Sequence, residues 1–115
     1  MKTKAIFITF DFGIKGDYEG LYKWLDEHEA QERGYGIAFI KAYQCKDQIK
    51  TDIGFVKEIR ESISKLTTLG KSDRIYMIWN SFEASKMKAA FLFGKSKQAP
   101  WTGFAQNNEV LDFDL

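Results

Sequence analysis

The chain has one cysteine, one proline and one histidine in 115 residues, almost no net charge and no long apolar run. Each scarcity excludes something. Cys45 has no partner for an internal disulfide, and without a CxxC pair or a Cys/His cluster there is no ligand set for structural zinc. A formal net charge of +1 gives no overall attraction to nucleic acid or to a membrane surface. No stretch approaches the roughly 20 apolar residues of a membrane helix. The opening MKTKAIFITF starts as a signal peptide would, but Thr9 and Asp11 break a short apolar run and no small-residue cleavage site follows. The expectation is a soluble, cytoplasmic protein with no membrane partner. Triad-type hydrolysis is not expected: there is no G-x-S-x-G, and nothing places Cys45 beside His28. The GKSKQ segment at Gly94 lacks phosphate-loop spacing, because Ala89 stands where the first glycine is needed.

What is abundant is aromatic surface. Rings make up 16% of the chain, with ten Phe, five Tyr and three Trp. That exceeds the need of one small core and points to a second buried face, an oligomer interface or a stacking surface. The length suits a single domain that buries a core without disulfides or metals.

Lys4 to Phe12 is the most sheet-like run. Ile6, Ile8, Phe10 and Phe12 alternate with Ala5, Phe7, Thr9 and Asp11, so both faces are largely apolar and the strand is predicted to be central. After the loop GIKG, Asp17 is a helix N-cap, and Tyr18, Leu21, Tyr22 and Leu25 set a helical stripe from Tyr18 to about Gln31. Its outer face is acidic. A second strand is expected over Tyr35–Tyr43. A second helix is expected from Ile53 to Leu69, with Val56, Ile59, Ile63 and Leu66 inward and Thr51 or Asp52 as cap. Further strands are predicted at Arg74–Ser81 and Lys88–Gly94. The order fits a two-layer α+β sandwich, ferredoxin-like, with a small sheet and two helices on one face. The one strand missing from that pattern is sought at Gln44–Thr51. The domain is placed at 1–106, followed by an acidic tail at 107–115 carrying Glu109, Asp112 and Asp114. If both helices share a face, the other needs a cover: a second copy, a partner, or the C-terminal segment folding back through Trp101 and Phe104.

Three candidate sites follow. Asp11 ends the first strand beside a glycine-containing loop. There it either accepts loop amides or helps to hold Mg²⁺, with Asp17 close in sequence, for phosphodiester cleavage. Lys86, Lys88, Lys95 and Lys97 lie among aromatics in a stretch of positive charge, a composition suited to a nucleic-acid backbone with base stacking and equally to ordinary surface lysine. RGYGIAFI, from Arg33 to Ile40, begins as the RNA-recognition signature does. It departs from it at Ile37, Ala38 and Ile40, and only one predicted strand and one helix precede it.

FITFDFGIKGDYEGLYKWL, Phe7 to Leu25, resembles the opening of small bacterial SinR-like proteins: a strand ending in aspartate, a short glycine-containing loop, an aspartate–tyrosine pair and a helix. SDRIYMIW, Ser72 to Trp79, resembles their returning strand. Those proteins are similar in fold to the CRISPR-associated Cas-two family. The resemblance implies a ferredoxin-like homodimer associated with RNA or DNA. It implies that Asp11 would serve as catalytic residue and Mg²⁺ ligand in at most weak nuclease activity. The alternative is a non-enzymatic interaction module that uses its aromatic sheet face.

Overall fold

The computed structural model describes residues 2–105, so the acidic tail and Gln106 lie outside the described residues. Seven elements follow in order: β1 (Lys2–Asp11), α1 (Tyr18–Glu27), β2 (Gln31–Gly34), β3 (Ile37–Cys45), α2 (Asp52–Ser64), β4 (Arg74–Asn80) and β5 (Met87–Phe93). The strands form one antiparallel sheet in the order β2-β3-β1-β4-β5.

The two apolar faces of β1 put it at the centre, between β3 and β4. Ile6 and Ile8 are fully buried, and they join Ala38, Ile40, Ile75, Met77, Trp79 and Leu92 in one cluster with Leu21, Trp24 and Leu25 of α1 and Phe55, Ile59 and Ile63 of α2. Both helices therefore cover the same side of the sheet, giving the two-layer α+β arrangement. Each large side chain sealed there contributes about 1.5–3 kcal/mol of transfer free energy.

Asp17 caps α1 by accepting from the Gly20 amide at 2.9 Å, and its other oxygen accepts from the Thr68 amide at 2.8 Å, tying α1 to the loop after α2. Gly20 is obligatory here: a Cβ would lie 2.2 Å from the Leu66 carbonyl oxygen. Thr51 caps α2 through the Gly54 amide. Indole Nε1 of Trp24 donates to Ser62 Oγ at 2.8 Å, joining the helices. α2 turns Phe55, Ile59 and Ile63 inward, with Val56 and Leu66 partly buried beside them.

The structure corrects four expectations. The first helix stops at Glu27, because Glu29 takes a left-handed φ of 56° and turns the chain outward. Gln31–Gly34 is then a short edge strand, so the missing strand precedes β3 and does not lie at Gln44–Thr51. In β3 a bulge sets Lys41 and Ala42 against Ala5, which flips Tyr43 and Cys45 into the core after Ile37 and Phe39 have faced the other way. The second helix ends at Ser64 and leaves the stretch up to Asp73 as loop, where both Asp73 carboxylate oxygens accept backbone amides, from Gly13 and Gly70.

Candidate functional site

Asp11 ends β1 on the sheet side away from the helices, opposite Arg74 of β4. Nη2 of Arg74 donates to Asp11 Oδ2 at 2.7 Å. This hydrogen bond, helped by the charges of Arg74 and Lys97, outweighs the opposing effect of burial and holds the Asp11 carboxyl below its ordinary value. The guanidinium engages one carboxylate oxygen, Oδ2, of a side chain that is otherwise largely exposed. The other nearby acid, Asp17, has both oxygens engaged as α1 cap and loop tie. Among the described residues no three His, Cys, Asp or Glu side chains gather in a metal-binding group.

The four lysines divide into two pairs. Lys86 and Lys88 lie at the start of β5, and Lys95 and Lys97 follow its end, roughly 20 Å away along a seven-residue strand. Lys88 faces the helix layer, with Nζ 3.8 Å from Asp52 Oδ2, whereas Lys95 and Lys97 are exposed.

The RGYGIAFI segment spans the β2–β3 hairpin. A helix and two strands now lead into its second half, which removes the topological objection. The departures at Ile37, Ala38 and Ile40 stand. Ile37 faces the open side where a ring is needed, and Ala38 and Ile40 are buried beneath α1 and α2.

The sheet face opposite the helices is the largest feature. Alternation puts Phe7 of β1, Ile37 and Phe39 of β3, Tyr76 and Ile78 of β4, and Ala89 and Phe91 of β5 on it. Phe7 is 40% exposed, Ile37 38% and Met87 at its margin 55%. The rings are paired across strands, Phe7 with Phe39 at 4.7 Å between centroids and Tyr76 with Phe91 at 4.7 Å. Among the described residues these central positions are all apolar or aromatic; the Asp11–Arg74 pair stands at one end of the face, and the exposed Lys41 of β3, at the bulge, borders it on another side. Trp101 and Phe104 are exposed in a turn beyond β5, so this part of the C-terminal segment does not fold back as a cover.

Two polar groups escaped sequence reasoning. Asp52, read only as a possible cap, is buried and locks α2 to the β4–β5 hairpin. It accepts from Trp79 Nε1 and the Phe82 amide at 2.9 Å and from Ser81 Oγ at 2.6 Å. Burial alone would raise its pKa; the bonds from Ser81, Trp79 and Phe82 and the charge of Lys88 outweigh it and hold the value at about 2. Glu58 has both carboxylate oxygens buried without a hydrogen-bond partner among the described residues. No local signal marks either residue, because both environments are assembled by chain segments far apart.

His28 and Cys45 have no catalytic setting. His28 is sandwiched between Trp24 and Tyr43, with centroids at 4.5 and 4.9 Å, and burial lowers its pKa against a small opposing effect of Glu27. Burial and the nearby Glu58 carboxylate push the Cys45 thiol up. Burial likewise pushes the Tyr43 phenol to about 12.

No helix among the described residues is long and apolar enough to cross a membrane. No protein-family model matches the chain, and neither the curated proteins nor the solved structures contain a match to it.

Proposed function

We propose that the protein is a ferredoxin-like module of the SinR-like and Cas-two-like kind that works by association rather than by catalysis, as a homodimer closed through its open sheet face. The finer fold reading is supported by the order β-α-β-β-α-β with strands arranged 2-3-1-4, to which β5 adds an edge. The observation that carries the function is the uncharged aromatic and aliphatic centre of that face. A second copy is the occupant that fits it. An uncharged apolar patch is complementary to itself across a two-fold axis, and a charged partner would leave its charges desolvated and unpaired. Five strands of seven or so residues present a footprint of about 600 Å² before side-chain relief, near the roughly 800 Å² per partner of a stable interface. Metal-dependent cleavage is no part of the proposal, which rests on the sheet face and not on Asp11, one of whose oxygens pairs with Arg74.

Sedimentation equilibrium across the micromolar range tests this reading. A dimer that dissociates on Phe7→Asp, with the monomer still folded by circular dichroism, is the expected outcome. A wild-type chain that stays monomeric throughout overturns it.

Nucleic-acid association is a second reading, favoured by Arg74 and Lys97 acting together at the Asp11 end of the sheet. It predicts RNA or DNA binding that weakens steeply with salt and is reduced by Lys97→Ala. Absence of binding at low salt removes it.

A further inference from the structure

A groove of about 700 Å³ runs between α1 and the β2–β3 hairpin at the end of β1. Tyr18 and Tyr22 of α1 form one wall and Phe10 and Leu25 part of the floor; the other wall is the hairpin turn from Gly34 to Gly36. The turn is fixed closely: Gly36 has φ 74° and its Cα faces the Phe10 carbonyl oxygen, which a Cβ would approach to 2.8 Å. The rings of Phe10, Tyr18 and Tyr22 stand 5.8–6.4 Å apart with interplanar angles of 47–71°, so their π-faces point in different directions. Tyr22 is half-exposed, and Tyr35 projects fully from the turn opposite.

The charge on this groove has one sign. Its lining includes Asp11, Asp26 and Glu32, and among the described residues that line it there is no lysine or arginine. Asp11 is neutralised by Arg74, which leaves Asp26 and Glu32. The Glu32 carboxylate accepts from the Gly34 amide at 3.0 Å, which holds it at the hairpin. The neighbouring Arg33 donates to the Gln31 side-chain oxygen and the Glu32 backbone carbonyl, and not to that carboxylate.

We infer that this groove binds an alkylated ammonium group, the head shared by choline and a trimethyllysine side chain. Ring faces attract a cation through their quadrupoles, an alkylated head sheds little hydration on entering an apolar floor, and the two carboxylates supply the countercharge. Phosphate-bearing ligands are repelled by the same carboxylates. The groove borders the open sheet face at Asp11 and Ile37, but its aromatic wall, Tyr18 and Tyr22 of α1, lies on the helix side and does not depend on dimerisation.

The test is a titration of ¹⁵N-labelled full-length protein with choline chloride, against sodium chloride at equal ionic strength and against 3,3-dimethylbutan-1-ol, the uncharged isostere of choline. Saturable shifts of the Tyr22, Glu32, Gly34 and Gly36 amides with choline, and binding of the isostere weaker by about fivefold or more, are expected. Tyr22→Leu keeps an apolar side chain at an exposed helix position and is expected to weaken choline binding about fivefold. Glu32→Gln lowers it as well, while thermal stability stays near wild type. Equal binding of the isostere, or no saturable shift with choline, overturns the inference. A trimethyllysine peptide that binds more tightly than choline assigns the head to a protein ligand; equal binding assigns it to a small molecule, and either result supports the site. Phe7→Asp leaves the choline shifts unchanged, so failure here and failure of the dimer are read separately.

Discussion

The two faces of one sheet have nearly the same hydrophobicity and opposite fates. On the helix side Ile6, Ile8, Ile75, Met77 and Leu92 are almost wholly buried. On the other side Phe7, Ile37, Phe39, Tyr76, Ile78 and Phe91 keep part of their surface in water. The difference is one of supply: the chain spends both helices on a single face. Monomers rarely leave an apolar patch of this size uncovered, which is the ground for the proposed homodimer.

Truncation on each face breaks or sharpens that comparison most directly. Ile8→Ala is expected to cost about 3–4 kcal/mol in chemical denaturation, the transfer free energy lost plus the cavity left in a sealed layer. Phe7→Ala, its neighbour on the open side, is expected to cost the dissociated monomer under about 1 kcal/mol while weakening the dimer. Equal costs in the monomer would mean that the open face is packed by the chain itself.

The next largest effect belongs to Asp52 on the sealed side. Asp52→Ala leaves the Trp79 indole and the Phe82 amide without their acceptor and is expected to destabilise by about 3 kcal/mol. Its pKa is depressed from 3.8 to about 2, so its stabilising contribution is complete above about pH 4 and is lost as pH falls toward 2. That difference corresponds to about 2 kcal/mol. Denaturation curves from pH 5 to 2 should be flatter in the variant; an unchanged acid slope would remove Asp52 as the acid-sensitive group.

Glu58 makes the reverse prediction. With both oxygens buried and unpartnered, Glu58→Met is expected to raise stability by about 1 kcal/mol, read from the denaturation midpoint. A fall would mean that the carboxylate has a stabilising partner in solution. On the open side Asp11→Ala removes an exposed ion pair and should change stability by less than about 1 kcal/mol. Smallest is the effect of His28, whose pKa is lowered: the fold disfavours its charged form, so stability is full above about pH 6.5 and declines gently below it. His28→Gln should remove that slope.

Much of the fold was legible in local pattern. The alternation in Lys4–Phe12 marks a strand with two apolar faces, Asp17 reads as a cap, as does Thr51 with Asp52 as its alternative, and Leu21, Leu25, Ile59 and Ile63 of the two stripes face the core. Tyr22 of the first stripe is instead exposed, and the stripes omit the fully buried Trp24 and Phe55. What failed did so for identifiable reasons. The left-handed turn at Glu29 gives no compositional warning, so the periodicity carries α1 four residues too far, past Glu27 to Gln31, the first residue of β2. The bulge at Lys41–Ala42 reverses the face of Tyr43 and Cys45, and strict alternation cannot anticipate a reversal. Of the candidate site, Asp11 was found at the correct strand end, but its partner Arg74 lies 63 residues away. The lysines grouped by sequence separate because β5 runs between them.

The sequence alone determined that β1 is central, that two amphipathic helices pack on a sheet, and that more ring surface exists than one core consumes. These are properties of short-range periodicity and composition, which survive without knowledge of distant neighbours. Only the tertiary structure decided that the strand-end aspartate meets an arginine, that Asp52 becomes a buried latch, and that the surplus rings divide between an open sheet face and an acidic groove. Each of these depends on register and on which helix covers which face, and a one-residue shift in register carries a side chain to the opposite side of the sheet.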